Sequence, residues 1–327
     1  MVVDKLQQLT LRHVALGAVL VGVVGVVGVS ILGALGAWFW PFGLFSHYRL
    51  QYAGLLLIAV VALAVLRFWR VTAAVAAVLV IHLVPIAPLV LPASQPDGAG
   101  TSLRVVQFNV FLANDDTDPG AEWLRGQDGD VVVIQEADDI WADALDVGLP
   151  GMRRLPTPTT RNDSFGMIVY VRQTFDVLDV EVLTDSAGLP MIVFDLDVGR
   201  ADGTPLSVVA MHPPPPTGFV NVELADEQIE LATRHLAEAG PAKVLIGDLN
   251  ATRFSAPFGR LRNGTELRDS AEGFGLTGTW PSPLWFTGMI GIDHVLVSDE
   301  IRVDDRFVGP GLGSDHRPVV ADLTVLS

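Results

Sequence analysis

The chain predicts a bundle of apolar N-terminal helices followed by one large α/β domain. Three observations lead there. Charge is split sharply along the chain, β-rich runs alternate with helical patterns after residue 92, and the strands VVVI (131–134) and KVLI (243–246) read as parts of a sheet covered on both faces.

The charge split comes first. Half of the 327 residues are hydrophobic, and from Val14 to Leu91 the only charged side chains are Arg49, Arg67 and Arg70. Residues 1–91 hold those three with Lys5 and Arg12 against Asp4, a net of +4; the whole chain is −16, so −20 falls on residues 92–327. A domain this acidic repels polyanions and offers no basic footprint, which makes nucleic acid an unlikely partner. It tolerates a substrate bearing a few phosphates if a cation is held between the two. The absence of cysteine excludes disulfides, thiolate metal sites and a cysteine nucleophile.

Residues 1–91 are predicted to be a membrane region. The run Val14–Phe39 is uncharged, and a span needs about 20 apolar residues; Trp38, Trp40 and Phe42 close it like an interfacial belt, with Pro41 as helix stop. A second run, Tyr52–Phe68, is bounded by Tyr52 and Trp69, and a third, Val71–Leu91, ends among Pro85, Pro88 and Pro92. Three spans are expected, with two as the alternative because the second run is short. Further spans after the first argue against a cleaved signal peptide. Lys5 and Arg12 precede the first span and Arg67 and Arg70 lie between the second and third, with Arg49 the exception. That pattern predicts a cytoplasmic N-terminus in the cell membrane and a domain after Leu91 on the extracytoplasmic side. With no acid in the spans and only His82 ionisable deep within one, the region reads as a tether.

Residues 92–102, containing ASQPDGAGT, are predicted to be a linker. Strands are then expected at 104–110, 130–135, 165–171, 191–196, 206–211, 243–246, 292–297 and 318–325. Helices are expected at 119–125, 140–147, 222–239 and 256–262; the third carries apolar Val222, Ala225, Ile229, Ala232 and Leu236.

The chemistry lies at the strand ends. Asn109 closes RVVQFNVF, Glu136 follows DVVVIQ, His212 follows LSVVAM, Asp248 and Asn250 sit in KVLIGDLN, Asp293 opens a strand in GIDHVLVS, and Asp315 and His316 precede the last strand in GSDHRPVV. Each alone is ordinary turn chemistry; a repeated plan of apolar strand followed by acid, amide or imidazole is not. Magnesium takes hard oxygen ligands and keeps water and substrate phosphate in its shell, which suits Glu136 and Asn109. Phosphoester hydrolysis also needs a base for water and donors for charge on phosphorus. Asp248 or His316 serves as base in this reading, and Asn250, His212 and protonated His316 are the donors.

The ordered set QFNV, QEAD, MHPP, GDLN, GIDHVLVS and GSDHRPV resembles the endonuclease/exonuclease/phosphatase superfamily, from Arg104 to the C-terminus. The resemblance implies a four-layer α/β sandwich over residues 103–327, with two central mixed sheets flanked by helices. It further implies Mg²⁺ (Mn²⁺ or Ca²⁺ as substitutes) held by Glu136 with Asn109, and with Asp315 a candidate for the same shell. His212 would contact the phosphate, Asp248 orient or deprotonate water, Asn250 stabilise the transition state, and Asp293 support its neighbours. Asp315 and His316 would pair, carboxylate holding imidazole. A further polar residue before the SFGMIVY strand is expected among Asn162, Asp163 and Ser164. The cleft tyrosine of some nuclease members has no obvious counterpart here, since Tyr170 falls inside a strand. The three-span arrangement and the TWP segment also resemble membrane proteins linked to teicoplanin and vancomycin resistance in actinomycetes.

The function expected is therefore an extracytoplasmic, membrane-anchored phosphoesterase acting on a phosphomonoester, phosphodiester or pyrophosphate. Its substrate would be a phospholipid or lipid-linked envelope intermediate, with apolar residues of 279–290 placed to dip into lipid. An external nuclease and a non-catalytic binding module are the competing classes; the first is opposed by the acidic domain, the second by the completeness of the residue set.

Overall fold

The computed structural model describes residues 2–157, 159–284 and 288–327. The chain forms two compact units, Met1–Pro88 and Leu89–Ser327.

The first unit is helical. Helix α1 (Val2–Ala34) is followed by a short helix and a 3₁₀ segment that run into α2 (Arg49–Val65), and then by α3 (Trp69–Leu83). The stretches Leu9–Ala34 and Trp40–Val65, of 26 residues each, are long and apolar enough to cross a membrane; Trp69–Leu83 has only 15 residues. The third predicted run is therefore shorter as a helix than as an apolar segment, because Pro85 cannot continue the ladder. The second gains a turn-rich lead-in from Trp40. His82 lies buried beside Ser30, with Nε2 and Oγ 3.2 Å apart, a packing position.

The second unit contains two six-stranded sheets. One runs in the order β11 (Ile301–Val308), β12 (Val319–Leu326), β1 (Gly100–Asn109), β2 (Val131–Gln135), β4 (Met167–Arg172), β3 (Met152–Arg154). The other runs β5 (Asp176–Thr184), β6 (Pro190–Asp197), β7 (Leu206–Ala210), β8 (Lys243–Asp248), β10 (Asp293–Val297), β9 (Arg268–Asp269). Strand alternation sends Leu103, Val105, Val131 and Val133 inward to meet Phe194, Val208, Val244 and Ile246 of the other sheet. The opposite face of the first sheet packs Phe108, Ile134 and Ile168 on α4 (Asp118–Gln127) and α5 (Asp139–Gly148) through Leu124, Trp141 and Leu145. The second sheet packs Val209 and Leu245 on α6 (Phe219–Glu238) and α7 (Ala256–Thr265) through Ala232, Leu236 and Phe258. These are the four layers of an α/β sandwich, as expected.

Residues 92–102 are bonded to the domain. Gln95 Oε1 accepts from the Val303 N–H at 3.1 Å, and the segment's last three residues already belong to β1, pairing with β12.

Topology places the chemistry at one edge. In each sheet a parallel pair, β1–β2 or β7–β8, ends together, so Asn109, Gln135 with Glu136, His212 and Asp248 all lie at C-terminal strand ends. Strands β10 and β12 run antiparallel to β8 and β1, so their first residues reach the same edge: Asp293 pairs with Asp248, and Val319, just after His316, pairs with Gln107. In the GDLN motif only glycine fits before Asp248, since a Cβ on Gly247 would lie 1.9 Å from the Met211 carbonyl oxygen.

Trp141 anchors the first helical layer. It is 1% exposed, its Nε1 donates to the Asn114 carbonyl at 2.9 Å, and the Asp138 side chain caps its helix by accepting from the Trp141 N–H. Trp141→Ala is expected to destabilise the domain by about 3–5 kcal/mol. Chemical denaturation followed by near-ultraviolet circular dichroism measures this, and a loss below about 1 kcal/mol would contradict the packing role.

Candidate active site

Seven of the eight predicted residues form one connected network. Asn109 Nδ2 donates to Glu136 Oε1 and to Asp248 Oδ2, each at 3.1 Å. Asp248 Oδ2 in turn lies 3.5 Å from His212 Nε2 and 3.5 Å from His316 Nε2. Asn250 donates its backbone N–H to Asp248 Oδ1 at 2.8 Å, while its Nδ2 lies 3.4 Å from His212 Nε2 and donates to the Pro213 carbonyl at 3.0 Å. His316 Nδ1 meets Asp293 Oδ2 at 2.9 Å. The eighth, Asp315, joins through an indole: Trp280 Nε1 donates to Asp315 Oδ2 at 2.9 Å, and the Trp280 ring faces His316 with centroids 6.5 Å apart.

The His316 pairing is a correction. The carboxylate that holds this imidazole is Asp293, from another sheet, and not its neighbour Asp315. Adjacent residues entering a strand point to opposite sides, so Asp315 and His316 cannot readily share one face. Strand alternation likewise turns His294 away from Asp293: its Nε2–H donates to the Ala251 carbonyl at 2.9 Å and its ring packs on Phe258. Burial lowers the His294 pKa and keeps the ring neutral.

Three of the strand-end residues sit on unusual backbone. Glu136, Phe111 and Asn250 have φ of 58°, 64° and 47°, where side-chain-bearing residues are strained. The turns are held from within: Asn109 Oδ1 accepts from the Phe111 N–H at 3.0 Å and Glu136 Oε2 from the Leu112 N–H at 3.0 Å. The turn at Glu136 ends β2 at Gln135 and leaves the Glu136 carboxylate facing Asn109 and the Leu112 N–H.

The sheets are fastened together by two buried amides. Gln107 Nε2 donates to Gln135 Oε1 at 2.6 Å and, across the sheets, to Asp293 Oδ1 at 2.7 Å. Gln135 Nε2 donates to the Met211 carbonyl at 2.8 Å, and its Oε1 accepts the Asp248 N–H at 3.1 Å. Sequence reasoning assigned no role to these glutamines, and placed Trp280 among the residues expected to face lipid rather than in the site. A glutamine at an inward position of an otherwise apolar strand was the available signal.

Charge follows from the contacts. Burial works to lower the His316 pKa, but Asp293, then Asp248 and the more distant Asp315 outweigh it and push it up to about 10. Burial works to raise the Asp248 pKa, and His316 first, then His212 and the Asn250 N–H, overcome it and hold the carboxyl below its usual range. The pair is an ion pair whose charged forms sustain each other.

The donor set fits a hard cation. Glu136 offers a carboxylate at the mouth of the cleft, and buried Asp315 Oδ1 has no hydrogen-bond partner among the described residues. The trio Asp248, Asp293 and His316, with ligand atoms all within 4.8 Å, also has the spacing of a metal site. There, however, both imidazole nitrogens already face carboxylates, and magnesium prefers oxygen, so the trio reads as a proton relay.

The other candidates fall outside the network. Asp163 is bound by Arg161 and caps the Phe165 N–H, Asn162 and Ser164 are exposed, and Phe165 lies against the His212 ring, centroids 5.7 Å apart. Tyr170 is core, its hydroxyl donating to Asp146 at 2.8 Å. Within 279–290, Met289 and Ile290 are buried and Trp280 serves Asp315, so only Leu284, 48% exposed, keeps the expected outward position; Trp285 and Phe286 lie outside the described residues.

The fold is shared with solved structures. An endonuclease/exonuclease/phosphatase protein from Bacteroides vulgatus matches with a TM-score of 0.57 at 20% identity, over 69% of this chain and 99% of the other. The mannosyl-6-phosphatase of Bacteroides thetaiotaomicron matches at 0.54 and 21%, over 68% and 99%. D. rerio TDP2, solved with a single-strand DNA product, matches at 0.57 and 14%, over 68% and 99%. No curated protein matches the sequence. Residues 106–316, which span every site residue named above, match the model of the Endonuclease/Exonuclease/phosphatase family, and the chain belongs to that family.

Proposed function

We propose that the chain is a magnesium-dependent phosphoesterase tethered in the cell membrane by its N-terminal helices, with the catalytic domain on the extracytoplasmic side. Its substrate is a phosphomonoester, phosphodiester or pyrophosphate in a phospholipid or lipid-linked envelope intermediate. The observation that carries the catalytic part is the placement of Asp248: both imidazoles lie 3.5 Å from its Oδ2, and Asn109 ties it to Glu136.

Glu136, Asn109 and Asp315 would hold a divalent ion, magnesium or else manganese or calcium, which when bound would neutralise phosphate charge. The remaining steps belong to the side chains. Asp248, ionised, accepts the proton of the attacking water and aligns it. His316 is kept protonated by carboxylates at both ring nitrogens, which makes it a donor to a phosphate oxygen and leaves Asp248 as the base. Asn250 and His212 approach from the other sheet, Asn250 stabilising charge on phosphorus and His212 protonating the leaving oxygen.

Two features support a lipid substrate. Anchoring enzyme and substrate in one plane raises their effective concentration. The net charge of −20 on residues 92–327 opposes a polyanionic nucleic acid.

Incubating the detergent-purified full chain with Mg²⁺ and a polyprenyl pyrophosphate, a phospholipid or plasmid DNA tests the substrate class. Lipid turnover is expected, with Glu136→Gln and His316→Ala each slowing it by about 10²–10⁴-fold. Cleavage of DNA alone would overturn the lipid assignment, and full activity in both variants would overturn the site. Orientation is tested by Ser327→Cys in this cysteine-free chain. Labelling by a membrane-impermeant maleimide in intact cells is expected; labelling only after lysis would place the domain inside.

A further inference from the structure

We infer that the groove between residues 213–216 and helices α6 and α7 receives the hydrocarbon chain of the substrate, immediately next to the scissile phosphate. The inference rests on the phosphoesterase reading above and deepens it by naming where the apolar part of the substrate binds.

The groove shares a wall with the catalytic cleft. Asn250 lines the groove and also meets His212 and the Pro213 carbonyl, so an ester whose phosphorus lies at Asn250 has this surface beside it. Beyond Asn250 the lining is hydrocarbon: Pro213, Pro214, Pro216, Val222, Ile229 and Phe258. The prolines contribute no N–H donors. The Pro213 carbonyl is taken by Asn250 Nδ2, and that of neighbouring Pro215 by the Thr217 N–H and Asn221 Nδ2. Among the described residues the one charged lining side chain, Asp226, is bound by Arg260.

A sugar, a base or a second phosphate would therefore lose its hydration here without gaining donors or cations. An alkyl or isoprenoid chain loses nothing of the kind and gains about fourfold in affinity per buried methylene. At the head of α6, Phe219 and Val220 are 65% and 66% exposed, extending the apolar surface to solvent beside residues 213–216. A chain longer than the groove has an apolar exit.

Filling the groove tests this. Wild type and Ala225→Phe, with Val222→Trp as a second variant, are assayed as full-length protein in phosphatidylcholine nanodiscs. The substrates are alkyl phosphomonoesters and p-nitrophenyl alkyl phosphodiesters from ethyl to dodecyl. Comparing variant with wild type at each length cancels partitioning into the bilayer. The dodecyl-to-ethyl ratio of kcat/KM is expected to fall by about 15-fold or more in either variant, the equivalent of two methylenes expelled. An equal fall at all lengths, or no change, overturns the groove assignment while leaving the phosphoesterase reading intact, and means that the groove serves packing or another partner. Failure of the wild type to hydrolyse any member overturns the phosphoesterase reading and the groove's substrate with it.

Discussion

Three amide side chains hold the catalytic edge of this sandwich together, through bonds from Gln107 to Asp293, from Gln135 to the Met211 carbonyl and from Asn109 to Asp248. Each begins on one sheet and ends on the other. Glu136, Asn109 and His316 belong to the first sheet, and Asp248, Asn250, Asp293 and His212 to the second, so no single sheet carries a working set. Apolar packing between the sheets supplies most of the adhesion, yet it is non-directional and would tolerate small slides. The buried amides do not: in a low-dielectric interior a displaced donor leaves an acceptor unsatisfied, at about 1–3 kcal/mol each. Their role is register.

The same constraint explains the electrostatics. Asp248 and Asp293 are 1% exposed, and the His316 ring lies between their carboxylates. Two such carboxylates cannot stay ionised in a dry cleft without a cation between them, and the protonated imidazole is that cation. Glu136 and Asp315 have no counterpart of this kind. Glu136 is partly exposed and met by N–H donors from Asn109 and Leu112, while one Asp315 oxygen has no hydrogen bond among the described residues. Acid in excess of its partners is what a divalent ion and its bound phosphate would complete.

Much of the site was legible because strand alternation and apolar runs mark strand ends clearly. Asn109, Glu136, His212 and Asp248 each interrupt or follow such a run and His316 precedes one, and the parallel pairs with antiparallel β12 bring those ends to one edge. Pairing across the sheets was not legible. That Asp293 rather than Asp315 holds His316 depends on how two sheets face one another, which one-dimensional spacing does not encode. Trp280 was noticed for its hydrophobicity, and its contribution comes from one N–H. Four strands were missed for definite reasons. β5 and β11 each contain a register shift, at Val177/Asp179 and Val303/Asp305, which breaks the period of two, and both are rich in acids facing solvent. β3 and β9, with three and two residues, are too short to show any period. In the helical unit, hydropathy marked apolar runs well and helix lengths less well, since proline ends α3 inside the third run.

The central claim is that the cation sits on the oxygen ligands at the cleft mouth and that the buried Asp–His–Asp trio moves protons. Crystals of the full chain grown with Mn²⁺ and measured at the manganese absorption edge decide between the two positions. The account predicts an anomalous peak within coordination distance of the Glu136 carboxylate. A strongest peak between Asp248, Asp293 and His316, with none at Glu136, would contradict it.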